Sequence, residues 1–195
     1  SPYLIQINLL SIHKDKILTI EPGVIMKFYN SYGHAGLKIE GTLNAIGVPD
    51  QKIVFTSFFD DQYGGDTNGN GNQNSASAGN WAGLQFTKDA TNLSKLENII
   101  LRYAGYNIGT SGGAGIRVDQ VSISLKNSTI EKNLQSGVLL LNSSSTIDAV
   151  SFLDNEVVPG YTPQDGVGVY IQGGGPQIIN SYFKGNIYGV RMRQW

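Results

Sequence analysis

The chain has 195 residues and a net charge of -1; 40% of its residues are hydrophobic and 15% charged. That balance excludes a disordered chain and a coiled coil, and the near-neutral charge excludes a general electrostatic grip on nucleic acid. No cysteine is present, which removes thiol catalysis, disulfides and cysteine-bound zinc together, and His13 and His34 alone argue against a histidine-rich metal site.

The length predicts one domain, 1–195. No run of 18 apolar residues occurs, so no membrane insertion is expected. The 25 glycines and 17 asparagines are the compositional excesses. Both residues tolerate left-handed backbone angles and punctuate turns. The apolar residues are mainly Ile, Val, Leu, Phe and Tyr, which suit strands. Many short strands joined by tight bends are predicted, with no helical period.

In chain order, the start at Ser1-Pro2 shows no signal peptide and is what a processed or excised fragment would show. Leu18 to Phe28 predicts two strands around the Pro22-Gly23 turn. Gly36 to Ala45 alternates apolar and polar, as a half-buried strand does, and Lys52 to Ser57 continues it. Residues 58–80 carry no strand pattern and form a predicted loop insertion. Strands resume at Trp81 to Phe86 and from Leu96 through Tyr103, with extra residues at 105–113.

From there the chain repeats itself. Gly115-Ile116-Arg117-Val118 is followed by Gly137-Val138-Leu139-Leu140, Gly168-Val169-Tyr170-Ile171 and Gly189-Val190-Arg191-Met192. Between these lie apolar strands that close on Asn133, Asn155 and Asn186. Asn133 to Asn155 is 22 residues; Asn155 to Asn186 is 31, lengthened by a loop around 156–165. A period near 22 fits one coil of a parallel β-helix, whose apolar face is buried only by stacking on the next coil. In that register Ile116 stacks with Val138, Val169 and Val190, and Ile130 with Phe152 and Phe183. The three asparagines fall at one corner, predicted to be left-handed and to form an amide ladder. A leucine-rich repeat would need a helical segment in each unit, and an antiparallel sandwich would not keep the Gly-apolar-x-apolar phase. Trp195 interrupts a repeat. The last coil is then open, and a longer chain with neighbouring domains is expected.

The runs Leu18 to Gly23, Ile39 to Gly47 and Ile53 to Ser57 resemble bacterial extracellular right-handed parallel β-helix repeat proteins. In that family a Gly/Asp-rich insertion ends before a tryptophan-glycine strand. Asp60 to Gly71 matches it well, and Asn80-Trp81-Ala82-Gly83 departs slightly. The resemblance implies an all-β right-handed solenoid at the cell surface. It is weak for activity, because such repeats occur in adhesins, enzymes and stalks alike.

The insertion holds the one constellation with chemistry. Asp66-x-Asn68-x-Asn70-Gly71 puts oxygen side chains at alternate positions before a glycine, the opening cadence of calcium loops. Ser77 stands where an EF-hand needs glutamate, so the EF-hand is excluded. Asp60 and Asp61 supply further charge. The expected calcium ligands are Asp60, Asp61, Asp66, Asn68 and Asn70; a solvated turn-rich loop is the competing reading. Arg117 with Asp119, Glu131, Asp148, Asp154, Arg191 and Arg193 are the candidates for polysaccharide-cleaving chemistry. Arg117 and Arg191 occupy the outward position of the repeat, where solvation is expected. His13 and His34 read as polar turn residues.

Tyr103, Tyr106, Tyr161, Tyr170, Tyr182, Tyr188 and Trp195 gather in the second half. Tyr170 and Tyr182 fall at outward strand positions, where rings can stack on sugars. The expected function is therefore a noncatalytic extracellular binding or adhesion module. Its partner is a polysaccharide or cell-surface glycan, bound with calcium in the insertion. A carbohydrate-active enzyme fragment and a passive stalk are the alternatives.

Overall fold

The computed structural model describes residues 1–193 except 30, 72, 108–111 and 156–165. The loop expected at 156–165, Tyr161 and Trp195 lie outside the described residues. The fold is a right-handed parallel β-helix. Three parallel sheets share the strands in strict rotation. Sheet A stacks β1 (Tyr3–Ile5), β4 (Ile25–Phe28), β7 (Ile53–Ser57), β10 (Ile99–Arg102), β13 (Thr129–Glu131), β16 (Ser151–Leu153) and β19 (Tyr182–Lys184). Sheet B stacks β2 (Leu9–Ile12), β5 (Gly36–Ile39), β8 (Gly83–Phe86), β11 (Ala114–Asp119), β14 (Ser136–Leu141), β17 (Val167–Gln172) and β20 (Tyr188–Arg193). Sheet C stacks β3 (Ile17–Ile20), β6 (Thr42–Ile46), β9 (Lys95–Glu97), β12 (Ser124–Lys126), β15 (Thr146–Asp148) and β18 (Gln177–Ile179).

Strand alternation sends every second side chain into the lumen, and pairing from coil to coil turns these into columns. Ile116, Val138, Val169 and Val190 are successive partners in sheet B. Ile130, Phe152 and Phe183 are successive partners in sheet A, and the two phenyl rings stack at 5.0 Å, 8° from parallel. Both columns are those the repeat spacing predicts. Further up the lumen, Phe28 stacks on Trp81 at 4.2 Å, and the indole N–H donates to Arg102 O at 2.9 Å. That bond satisfies a polar atom in a fully buried ring.

The predicted amide ladder exists, with one correction. Asn133 donates through Nδ2 to Asn155 Oδ1 at 3.1 Å, and Asn155 through Nδ2 to Asn186 Oδ1 at 2.8 Å. Asn133 and Asn155 are buried. The left-handed residues, however, are Lys132, Asp154 and Gly185, each one position earlier. The bend comes first, and it turns the next side chain inward, where an amide satisfies the backbone of two coils at once. Asparagine takes the left-handed role at a different corner, between sheets C and A. There Asn98, Asn127 and Asn180 have φ near 50°.

The three corners differ in tolerance. Sheet C passes to sheet A within one or two residues over most of the molecule, at 98, 127–128, 149–150 and 180–181. The connections at 58–82, 103–113 and 154–166 all leave sheet A for sheet B. One edge of the solenoid therefore gathers the long loops.

Candidate functional site

Two surfaces flank that edge. On sheet A, the outward residues Leu4, Lys27, Thr56, Arg102, Glu131, Leu153 and Lys184 align coil by coil. Alternation predicts that such residues are solvated, yet Lys27 and Thr56 are fully buried and Arg102 is 2% exposed. The 58–82 connection covers them. Lys27 Nζ donates to Gly65 O and to Thr67 Oγ1, each at 2.7 Å. Burial pushes its ammonium below the ordinary lysine pKa, and Asp60, Asp61 and Asp66 pull it part of the way back.

Arg102 fixes the other end of the cover. It donates to Gln62 Oε1 at 2.8 Å and to the Tyr103 hydroxyl at 2.6 Å. It pairs with Asp60 at 3.5 Å and Glu131 at 3.3 Å, and its guanidinium lies 4.5 Å from the Tyr103 ring centre. Burial opposes its charge, but the Tyr103 hydroxyl, Asp60 and Glu131 outweigh that and raise its pKa. The connection is thus clamped to the solenoid by two buried cations. Nothing in the sequence marks either one, because an outward lysine and an outward arginine read as ordinary surface.

The five expected calcium ligands are not equivalent. Asp60 is 4% exposed and faces the sheet, accepting from Thr56 Oγ1 at 2.5 Å and from Gln62 N at 3.3 Å. Asp66 accepts from Asn70 N at 3.2 Å and Gly71 N at 2.8 Å, and Asn68 Oδ1 accepts from Asn70 N at 3.1 Å. Asp61 Oδ1 and Asn70 Oδ1 are enclosed without a hydrogen-bond partner. Among the described residues no group of three or more His, Cys, Asp or Glu is arranged to hold a metal ion. A cation here would depend on amide and carbonyl oxygens as well.

The second surface is a groove of about 250 Å³ on sheet B, lined by Gln85, Thr87, Tyr106, Asn107, Arg117 and Asp119 among others. Gln85 and Arg117 are register partners on β8 and β11, one strand spacing apart. The Arg117 guanidinium pairs with Asp119 at 3.0 Å, and its side chain is 19% exposed, so it is not the freely solvated group its position predicts. Tyr106 forms the rim. Its N–H donates to Trp81 O at 3.0 Å, its ring lies 5.3 Å from His34, and Tyr32 lies 6.0 Å beyond. A Cβ on Gly33 would approach that ring to 2.7 Å, so only glycine lets the 31–34 turn pack there. The loop histidine of the sequence is one member of a small aromatic cluster. Nearby, Lys38 and Glu40 pair at 2.5 Å, which holds the Glu40 carboxyl below its ordinary pKa.

The two tyrosines expected to face sugar do not share a surface. Tyr182, on sheet A, is 57% exposed. Tyr170 points away from the lumen but is 1% exposed, packed with Ala114, Leu139 and Val167 on sheet B. Its ring offers no stacking face in this structure. Arg191, predicted solvated, lies 4.8 Å from the Tyr188 ring. Tyr182 is exposed as its outward phase predicts; Tyr170 is not, because alternation separates lumen from exterior and says nothing of what lies over the exterior.

Residues 114–194 match the protein family described as right handed beta helix region. The same three-sheet rotation continues over the described residues before them, so the β-helix fold extends beyond the matched region. No curated protein and no solved structure gives a match.

Proposed function

We propose that the chain is a noncatalytic extracellular binding module whose sheet B groove takes a carbohydrate. The carrying observation is the combination at that groove. Tyr106 forms a rim ring with 37% of its surface free, set above amide, hydroxyl, guanidinium and carboxylate groups on a regular strand lattice. Sugars present the matching chemistry, an apolar ring face with hydroxyls around it. The Arg117–Asp119 pair favours binding over bond cleavage, since the guanidinium is already engaged.

Calcium in the insertion belongs to the same reading. Asp61 Oδ1 and Asn70 Oδ1 support it, as enclosed oxygens without a donor, and a hard cation takes 6–8 such oxygens. Binding only to the folded loop would raise stability by about 2.7 kcal/mol at a hundredfold excess over Kd.

Glycan-array binding with and without EDTA is the test, repeated with Tyr106→Ala. The expected result is retained fold and lost glycan signal in the variant. Unchanged binding by Tyr106→Ala overturns the groove assignment. Release of unsaturated or reducing products from pectin or alginate overturns the noncatalytic reading. For calcium, titration calorimetry on stripped protein should give heat and a rise in Tm; neither signal refutes it.

A further inference from the structure

Asparagine is the side chain that its own backbone can attack. The nitrogen of the following residue closes a five-membered ring on Cγ, and a side chain on that residue hinders the approach. Of the 17 asparagines, Asn68 and Asn70 alone precede a glycine, and they do so in tandem: Asn68-Gly69-Asn70-Gly71. Gly69 and Gly71 have φ of 67° and 64°, and a Cβ on either would meet no atom within 4 Å. The fold leaves open space beside both glycine α-carbons.

The hydrogen bonds around the tandem are equally permissive. Gly71 N–H donates to Asp66 Oδ2 at 2.8 Å, which sets a carboxylate against the proton that the attacking nitrogen must give up. Asn68 uses only its oxygen: Oδ1 accepts from Asn70 N, while Nδ2 is enclosed without an acceptor. Exchange of that nitrogen for oxygen gives up no hydrogen bond. The ladder residue Asn155 is the opposite case, since its Nδ2 donates to Asn186 Oδ1 and Ile130 O while its Oδ1 accepts from Asn133.

We propose that Asn68-Gly69-Asn70-Gly71 is a site of spontaneous deamidation that adds carboxylates to the insertion after folding. The glycine nitrogen forms a bond to Cγ, the Cγ–Nδ2 bond breaks, and Nδ2 leaves as ammonia with the proton that the glycine nitrogen gives up. Water then opens the cyclic imide at either carbonyl, leaving aspartate or isoaspartate. No oxidant, metal or enzyme enters the balance. Asparagine is chemically the labile partner of aspartate, and each aspartate product turns a neutral oxygen ligand into a charged one, which strengthens calcium binding. That consequence rests on the calcium reading above; the modification does not.

The test is peptide mapping by mass spectrometry after incubating the folded protein at mildly alkaline pH in water carrying heavy oxygen. Asn68 and Asn70 should lose their amides and take up label while Asn133, Asn155 and Asn186 keep theirs. Asn68→Gln and Asn70→Gln keep the amide but lengthen the side chain past five-ring closure, so neither should exchange. Equal retention of amide at the tandem and in the ladder overturns the proposal, as does the same label uptake in the glutamine variants. Calcium titration of incubated protein and of the Asn70→Asp variant, each against Asn70→Gln, forms the second arm. Conversion without any gain in calcium affinity refutes the calcium reading and upholds the modification.

Discussion

Arg102→Met removes the guanidinium and keeps an unbranched chain of similar reach. Asp60 then remains 4% exposed without its Arg102 partner, although it still accepts from Thr56 and Gln62. Breaking one side of a buried ion pair costs about 3–5 kcal/mol, because the remaining charge stays desolvated. Gln62 and Tyr103 lose their donor as well. For a chain of this size that loss corresponds to a fall in Tm of roughly 6–20 °C. Repeat folds respond locally, so the effect should concentrate in the clamped connection. Hydrogen exchange and limited proteolysis across 58–82 should therefore change before the coils beyond β13 do. The double variant Asp60→Asn with Arg102→Met should recover part of the loss, because it removes the Asp60 charge together with that of Arg102. An Arg102→Met protein with unchanged Tm and an equally protected 58–82 segment would refute the clamp. Failure of the double variant to recover anything would show that packing, not charge, sets the cost.

Other expectations follow from the interior. Phe152→Ala should lower stability by about 3–5 kcal/mol through the cavity left against Ile130 and Phe183, read by thermal melting. Asn155→Ala strips Asn133 N of its acceptor and should cost about 1–3 kcal/mol for each buried group left unpaired, with new exchange at the Asn133 amide. The pH dependence of Lys27 has a definite sign. Its folded pKa lies below its unfolded one, so between the two values the unfolded chain holds more protons and stability rises with pH. Lys27→Met should flatten that alkaline slope in melts taken across the window; an unaltered slope counts against the burial argument.

The solenoid was legible because its physics is periodic. Ile116, Val138, Val169 and Val190 sit at one phase of one repeat, and parallel pairing leaves a single register that aligns them in one column, buried except at Val190 on the last coil. The positive-φ assignment slipped by one residue because asparagine serves two purposes in this fold. At Asn98 it is chosen for its backbone and at Asn133 for its amide, and composition does not distinguish them. The surfaces were less legible for a different reason. Lys27, Arg102 and Tyr170 all obey the outward phase, but the first two are buried by the 58–82 connection and Tyr170 packs with Ala114, Leu139 and Val167. Tyr106 lies in an irregular connection, where no period locates it. Only the insertion advertised itself, through its departure from the pattern.

The placement of the long connections has a consequence for how such a chain can vary. At the corner from sheet C to sheet A, one or two residues deliver the next strand in phase in every coil from β9 onward. The first two coils carry longer links there, at 21–24 and 47–52, and still place Met26 and Phe55 inside. At the corner from sheet A to sheet B the strand leaves the surface and returns to it, so parity is reset on re-entry. Segments of odd or even length, with or without order of their own, can be accepted at that corner without disturbing a single column of the core. The molecule thus puts its longest connections along one edge, where the register of the core does not depend on their length.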